Sequence, residues 1–401
     1  MKVLLSVTLA IAAMTAVLIN ILKAEEAIAV EPVEIKKLTD SHNNFGFKLL
    51  KHLHKEGENT FISPSSVSTT FGMLHNGTVG GVKKEFEDVF GWQAYSPEAF
   101  KSANKELIST LVSADEKSIL EIANSIWIQK GFEVQADFKI DNKQFFNAEV
   151  NNVPFDEQAV KRINNWCSEK THGKIKEVIK ELNPQEVMAL INAVYFKGIW
   201  TKAFDKKRTY EQSFTLADKS QVKVPLMFRE DTIEYLETDK YQAVRLPFGK
   251  GETAMTFILP AGSLSDFQNH LTDKEFESIQ KRLRLKKLKL FVPRFKIDYE
   301  ALLNEPLKKM GLKKSFGFSN GFAKINPTQE LAISRVIHKT FLEVKEEGAE
   351  AAAVTAILMK TKSVQIDRIP IMKLDRPFFC AISNTKTGNV VFAGNIYNPL
   401  K

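Results

Sequence analysis

Glu343-Val-Lys-Glu-Glu-Gly-Ala-Glu-Ala-Ala-Ala-Val-Thr-Ala-Ile-Leu-Met-Lys-Thr-Lys-Ser363 lies near the C-terminus and supports two local structures at once. Read with a period of two, one face carries Ala349, Ala351, Ala353, Thr355, Ile357 and Met359. These are small at first, then larger and apolar. The other face carries Glu350, Ala352, Val354, Ala356, Leu358 and Lys360, with a charge at each end. That pattern suits a strand with one buried side. Yet Glu346-Glu347-Gly348 followed by Ala351-Ala352-Ala353 is good helix material and poor strand material. A surface helix over Gly348 to Ala356 is the plain reading; a segment that changes state is the sharper one.

The strings around this segment decide between them. KEEGAEAAAVT resembles the hinge of a serpin, a serine protease inhibitor. Serpin-like strings recur in order along residues 40–400: NTFISPSSV at Asn59–Val67, INAVYFKGIW at Ile191–Trp200, VPRFKI at Val292–Ile297, RVIHKTFLEV at Arg335–Val344, DRPFFCAI at Asp375–Ile382 and FAGNIYNP at Phe392–Pro399. The resemblance implies an α+β fold with three mostly antiparallel β-sheets and eight or nine helices. It also implies a single serpin domain over residues 25–401 with an exposed reactive-centre loop at about 346–370. By the same resemblance Glu347, Gly348, Ala349, Glu350, Ala351, Ala352 and Ala353 form the hinge. Ser63, Ser66, Asn192 and His338 form a hydrogen-bonded shutter under a sheet, and Trp200 caps the place where the loop enters. As core polar groups these five would be satisfied in any case.

The resemblance implies chemistry borrowed from a target. A serine protease attacks a bait carbonyl and forms an acyl-enzyme. Insertion of the cut loop as a new strand, already known for serpins as a case of strand addition, then holds the enzyme before water can release it. Small residues at Ala349, Ala351, Ala353 and Thr355 are compatible with burial between strands. A dozen new backbone hydrogen bonds at roughly 1 kcal/mol each would supply on the order of 10 kcal/mol. Gly348 would be the pivot, since glycine tolerates the dihedral change. In serpins the bait bond follows the fourteenth residue after the hinge glycine, which places it at Lys362–Ser363; Lys360 and Arg368 are competing basic residues. A Lys there suits a trypsin-like protease. Two departures stand out: the stretch from Ser363 to Arg376 is longer than usual, and Ala349 occupies a position where inhibitory serpins more often carry Thr or Ser.

With 401 residues, 26% of them charged, the chain is long enough for a large apolar core and too hydrophobic for disorder. No linker-like composition marks a boundary. Lys2 precedes an apolar run from Val3 to Leu22, followed by Lys23 and Ala24. This reads as a secretory signal over residues 1–24, with an end as late as Ala29, or as a membrane anchor. Cutting after Ala24 removes two lysines and lowers the net charge from +8 to +6; cutting after Ala29 also removes Glu25 and Glu26 and restores +8. A basic secreted chain points to sulfated glycosaminoglycans rather than nucleic acid, and the rest of the reading is a monomer without stable membrane association. Cys167 and Cys380 are too few for a framework of bridges and read as core packing.

Helices are predicted over residues 36–56, from Pro64 to His75, over Ala99–Val112 and over Val160–Thr171, with a helix end over Phe276–Leu283. Strands are predicted over Leu120–Gln129 and Val187–Tyr195, within residues 221–260, over Leu285–Phe295, and twice in the last sixty residues. Asn76-Gly77-Thr78 is both a glycosylation sequon and a helix stop. There is no Gly-x-Ser-x-Gly elbow, phosphate-binding glycine loop or His-Glu-x-x-His pair, so neither an enzyme nor a cofactor or metal site is expected. Lys281, Arg282, Arg284, Lys286, Lys287 and Lys289 form the densest charge cluster; alternating leucines would put several of these cations on one strand face, as a solvated face or a heparin-like site. The reading is a secreted inhibitor of a trypsin-like serine protease, with a non-inhibitory carrier or storage serpin as the alternative.

Overall fold

The structure, a computed structural model, describes residues 32–112, 118–347 and 369–401. The leader, hinge residues Gly348 to Ala353, the bait pair Lys362 and Ser363, and their competitors Lys360 and Arg368 lie outside the described residues. Elements run α1 (Pro32–Leu53), β1 (Thr60–Ile62), α2 (Pro64–His75), α3 (Gly80–Phe90), α4 (Pro97–Val112), β2 (Ser118–Gln129), α5 (Ala136–Phe146), β3 (Glu149–Val153), α6 (Glu157–Lys170) and β4 (Met188–Gly198). They continue with β5 (Thr209–Thr215), β6 (Gln221–Glu237), β7 (Tyr241–Phe248), β8 (Thr253–Pro260), α7 (Leu264–His270), α8 (Asp273–Arg282), β9 (Arg284–Pro293) and β10 (Phe295–Leu302). The chain closes with α9 (Asn304–Met310), β11 (Arg335–Val344), β12 (Ile371–Lys373), β13 (Phe378–Asn384) and β14 (Val390–Ile396).

The described strands form two hydrogen-bonded sheets rather than three. One runs β1-β14-β13-β8-β7-β6-β9-β12, with β5 also on β6. The reason for the merger is β6: over its 17 residues it pairs in turn with β5, β9 and β7, so what would be two sheets share one strand. β8, β13 and β14 are buried throughout, and so carry apolar side chains on both faces instead of alternating. The other sheet runs β10-β11-β4-β2-β3. Its two faces bury different residues. Leu190, Val194, Val336 and Leu342 join the large core that also takes in α1, α2 and the nine-stranded sheet. Ala189, Ile191, Ala193, Ile337 and Phe341 pack under α6 with Trp127, Ile163, Trp166 and Cys167.

α2 starts as its sequence demands: Ser63 caps it by accepting from Ser66 N–H, and Pro64 occupies the first turn, where its missing donor costs nothing. Both cysteines are free and buried; burial pushes the Cys167 thiol up to about 12 and the Cys380 thiol higher still, so neither is reactive near neutrality. Among the described residues no helix is long and apolar enough to cross a membrane.

Candidate functional site

β11 and β4 lie side by side and parallel at the centre of the five-stranded sheet, from Arg335 opposite Ala189 to Leu342 opposite Phe196. Within this seam His338 of β11 stands opposite Asn192 of β4, and Asn192 stands opposite Asn124 of β2. Three polar side chains therefore cross three strands in one row, on the face that meets α2. His338 Nε2 accepts the Ser63 backbone N–H at 3.0 Å. That fixes the tautomer: the ring proton is on Nδ1, which donates to Asn192 Oδ1 across the seam. The Asn192 amide nitrogen reaches Ser66 Oγ, Thr70 Oγ1 (3.1 Å) and Asn124 Oδ1. Thr70 Oγ1 is also 2.9 Å from Asn124 Oδ1. Thr340 adds a tie from β11 to the Phe61 carbonyl at 2.7 Å.

The sequence-predicted Ser63, Ser66, Asn192 and His338 thus meet in one buried network. Asn124 and Thr70, which sequence reasoning missed, complete it. The signal was present: Leu120, Ile122, Ile126 and Ile128 alternate toward the core, and Asn124 is the polar interruption on that face. Thr70 follows Ser63 and Ser66 at helical spacing. Such a network holds β11 to β4 only while every member is satisfied, because a buried polar group left unpaired costs about 1–3 kcal/mol.

Trp200 is not part of the row. It sits at the end of the seam, about 23 Å along β11 from His338 at the usual rise per residue. There its Nε1 donates to the Lys345 carbonyl at 2.8 Å, and its ring stacks on Phe248 with centroids 4.4 Å apart. The next residues are moored as well. Phe204 N–H donates to the Glu346 carbonyl at 3.1 Å. The Glu346 carboxylate is only 2% exposed; it takes Arg294 Nε at 2.7 Å and Thr209 Oγ1 at 2.5 Å. Burial alone would raise its pKa, but the Arg294 and Thr209 hydrogen bonds outweigh it and hold the carboxyl below the usual range. Glu347, the last described residue before the hinge glycine, pairs with Lys206 at the surface. The outer face of the seam is crossed by the chain that follows α6: Lys339 Nζ donates to the Glu177 carbonyl at 2.8 Å and Arg335 to the Glu181 carbonyl at 3.2 Å.

Arg294→Ala leaves a buried carboxylate with one neutral partner. Arg294 itself is 42% exposed, so solvent screens part of the loss, and the expected cost is about 2 kcal/mol. Adding Glu346→Gln should recover much of it, because a neutral amide needs no counter-ion. Urea unfolding of the single and double variants checks this, and equal losses would show that charge at Glu346 is not what Arg294 serves.

Two sequence expectations are corrected here. The cations of Lys281–Lys289 do not share a face. Arg284 and Lys286 have the parity of buried Leu288 and Leu290, whereas Lys287 and Lys289 point the other way with exposed Leu285. Lys281 and Lys287 are neutralised by Glu277 and Glu230, and the Arg284 guanidinium turns back onto the Lys281 and Leu283 carbonyls. Lys281 and Arg282 belong to the end of α8, so a helix terminus and a strand split the cluster. The Asn76 sequon is closed in the fold. The amide nitrogen that would carry a glycan is buried, the Thr78 hydroxyl donates to the His75 carbonyl at 2.8 Å, and Gly77 packs against Ile325.

A family model for serpins (serine protease inhibitors) matches residues 40–399. Human neuroserpin is 31% identical over 362 residues, covering 86% of this chain and 87% of its own. Among solved structures, native protease nexin-1 with heparin matches with a TM-score of 0.82 at 28% identity, over 91% of this chain and all of that one. Human thyroxine-binding globulin complexed with thyroxine matches with the same TM-score at 26% identity, over 92% of this chain and all of that one. The chain belongs to the serpin family, whose members are in general protease inhibitors and not enzymes, with exceptions such as thyroxine-binding globulin.

Proposed function

We propose that this chain is a secreted inhibitor of a trypsin-like serine protease, which it traps as an acyl-enzyme by taking its own cut loop into the β4–β11 seam. One observation carries the reading. β11 and β4 are parallel, and β11 runs straight into the moored residues Lys345–Glu347. A chain that folds back at Gly348 between the two strands would be antiparallel to both. One parallel ladder would be exchanged for two antiparallel ones, which are somewhat more stable per residue. The glycine after Glu347 supports the turn, and the small side chains that follow support burial against faces already lined by alanine and apolar residues.

The bait assignment rests on Lys362. Mixing the purified chain with trypsin is expected to give a covalent band that survives SDS, together with a released C-terminal peptide beginning at Ser363. Lys362→Ala should abolish the band with trypsin, at a loss of at least a hundredfold in association rate, because the protease pocket loses its cation (about 3 kcal/mol of binding by this measure). A peptide beginning at Thr361 would move the bait to Lys360. Cleavage without any SDS-stable band would favour the non-inhibitory carrier reading.

A further inference from the structure

α6 and the chain behind it are joined into one piece. Asn164, midway along α6, donates from Nδ2 to the Ile179 carbonyl at 2.8 Å, and its Oδ1 accepts the Val178 and Ile179 N–H groups at 2.9 and 3.1 Å. Thr171 closes the turn between them: its hydroxyl donates to the Cys167 carbonyl at 2.7 Å and accepts the Ile175 N–H at 3.0 Å. Ile175, Val178 and Ile179 of this strap are buried with Ile191 of β4 and with Ile337 and Phe341 of β11. The strap therefore lies over the β4–β11 seam, and the Lys339 and Arg335 bonds fasten it to β11.

The opposite flank of α6 is held by one carboxylate. β3 is the edge of the sheet, separated from the seam by β2 and β4. Its Glu149 takes Lys170 Nζ at 3.1 Å and accepts the hydrogen bonds of the Trp166 indole and the Asn151 amide. The Asn151 Oδ1 in turn takes Arg162 Nη2 at 3.2 Å, and the Arg162 guanidinium lies 5.7 Å from the centre of the Trp127 ring. Arg162, Trp166 and Lys170 are spaced by four and form one stripe of α6, so successive turns of the helix are gathered on Glu149. Burial would raise the Glu149 pKa, but the Trp166 and Lys170 hydrogen bonds outweigh it and hold the carboxyl below the usual range, so its charge is complete at neutral pH. An entering strand has to pass beneath the strap, which is fixed to α6 on one side of the gap and to β11 on the other. Lifting the strap lifts α6, and bonds that are intact in the closed state but broken at the barrier slow the step. We propose that Glu149 is a positioning residue of the trapping step: by fastening the Arg162–Trp166–Lys170 stripe to the edge of the sheet, it keeps the strap over the seam and sets how fast a strand can enter. The inference rests on the reading of the β4–β11 seam as the place of entry.

A synthetic peptide with the sequence of residues 349–360 stands in for the cut loop, and its uptake by the whole chain is read from the growth of a more heat-stable species with time. Glu149→Gln keeps the size of the side chain and one acceptor oxygen but loses the charge. Uptake is expected to be about tenfold faster in this variant, and hydrogen exchange of the amides of α6 and of Ile175–Ile179 about tenfold faster as well, with those of α1 unchanged. Lys170→Met removes an exposed partner of the same carboxylate and should shift both readouts in the same direction by a smaller factor, so that misfolding of the first variant leaves the question decidable. Faster exchange without faster uptake would mean that Glu149 only stabilises α6, and overturns the proposal. Unchanged exchange in both variants, with normal peptide uptake, overturns it while leaving the seam reading intact. If the unaltered chain takes up no peptide although exchange at α6 still responds to Glu149, the seam reading itself fails, and the gating role goes with it.

Discussion

Cleaving the chain at Lys362–Ser363 should raise its melting temperature by on the order of 10 °C. The size follows from the seam. β11 and β4 are in register over eight pairs, Arg335–Ala189 to Leu342–Phe196. A strand inserted along that length turns one ladder into two, a net gain of about eight backbone hydrogen bonds at roughly 1 kcal/mol each. This is fewer than the dozen expected from the sequence, because the existing ladder must first be given up. For a chain of this size, roughly 8 kcal/mol spread over an unfolding entropy near 2 cal/mol/K per residue corresponds to about 10 °C. The gain is opposed by the row at His338 and Asn192, by the Glu177 and Glu181 carbonyls held on β11, and by the mooring at Trp200 and Glu346. All of these must yield before the strand can enter. Calorimetry before and after limited trypsin cleavage checks the expectation. An unchanged melting temperature with the loop demonstrably cut would mean that the loop stays outside the sheet, and the trapping reading would fail.

What could be read from the sequence, and what could not, divides along physical lines. α2 was legible because Ser63 and Pro64 are strong start signals. β4 was legible because Met188–Phe196 is an apolar run broken only by Asn192, as a strand buried on both faces requires, whereas β11 was marked only by its serpin-like string. α3 and α5 were missed. Each begins without a capping side chain, at Val79 and Gln135, so nothing at their N-termini announces a helix. The merger of two sheets into one could not be read at all, because it depends on β6 changing partners along its length, and pairing over long sequence distances leaves no local mark. The same limit explains the site. His338 and Asn192 could be placed by resemblance, but their union with Asn124 is a matter of register across three strands. The charge cluster divides for a different reason: the adjacent Lys286 and Lys287 break the alternation inside β9, and Lys281 and Arg282 lie in α8 on the other side of the helix–strand junction.

The row also makes the fold sensitive to acid, well before its carboxylates titrate. His338 is fully buried, and burial lowers its pKa from 6.5 to about 3. Burial does the same to His42, whose ring nitrogens have no hydrogen-bond partner among the described residues, and takes His75 to about 4 despite Glu87 at 3.6 Å. The sign follows from linkage. Burial also lowers His54, so below pH 6.5 the unfolded chain binds at least three protons that the folded chain refuses; stability is complete above 6.5 and is lost as pH falls toward 4. Each histidine contributes about 1.4 kcal/mol per pH unit, which brings the loss at pH 5 to on the order of 6 kcal/mol, comparable to the whole stability of many domains. Glu346 adds little between pH 6.5 and 5, because its carboxyl is ionised there in the folded and the unfolded chain alike; its contribution is lost only as pH falls through the ordinary carboxylate range. At His338 the cost has a visible cause: a proton on Nε2 would face the Ser63 N–H and break that bond inside the core, although Nδ1–H would still donate to Asn192. His338→Gln retains an acceptor for Ser63 and a donor for Asn192 but takes up no proton. Urea unfolding between pH 6.5 and 5 should therefore show stability falling with a slope of about three protons or more in the native sequence and about one proton less in this variant. A flat profile in the native sequence would mean that water reaches these rings, and an unchanged slope in the variant would remove His338 from the account.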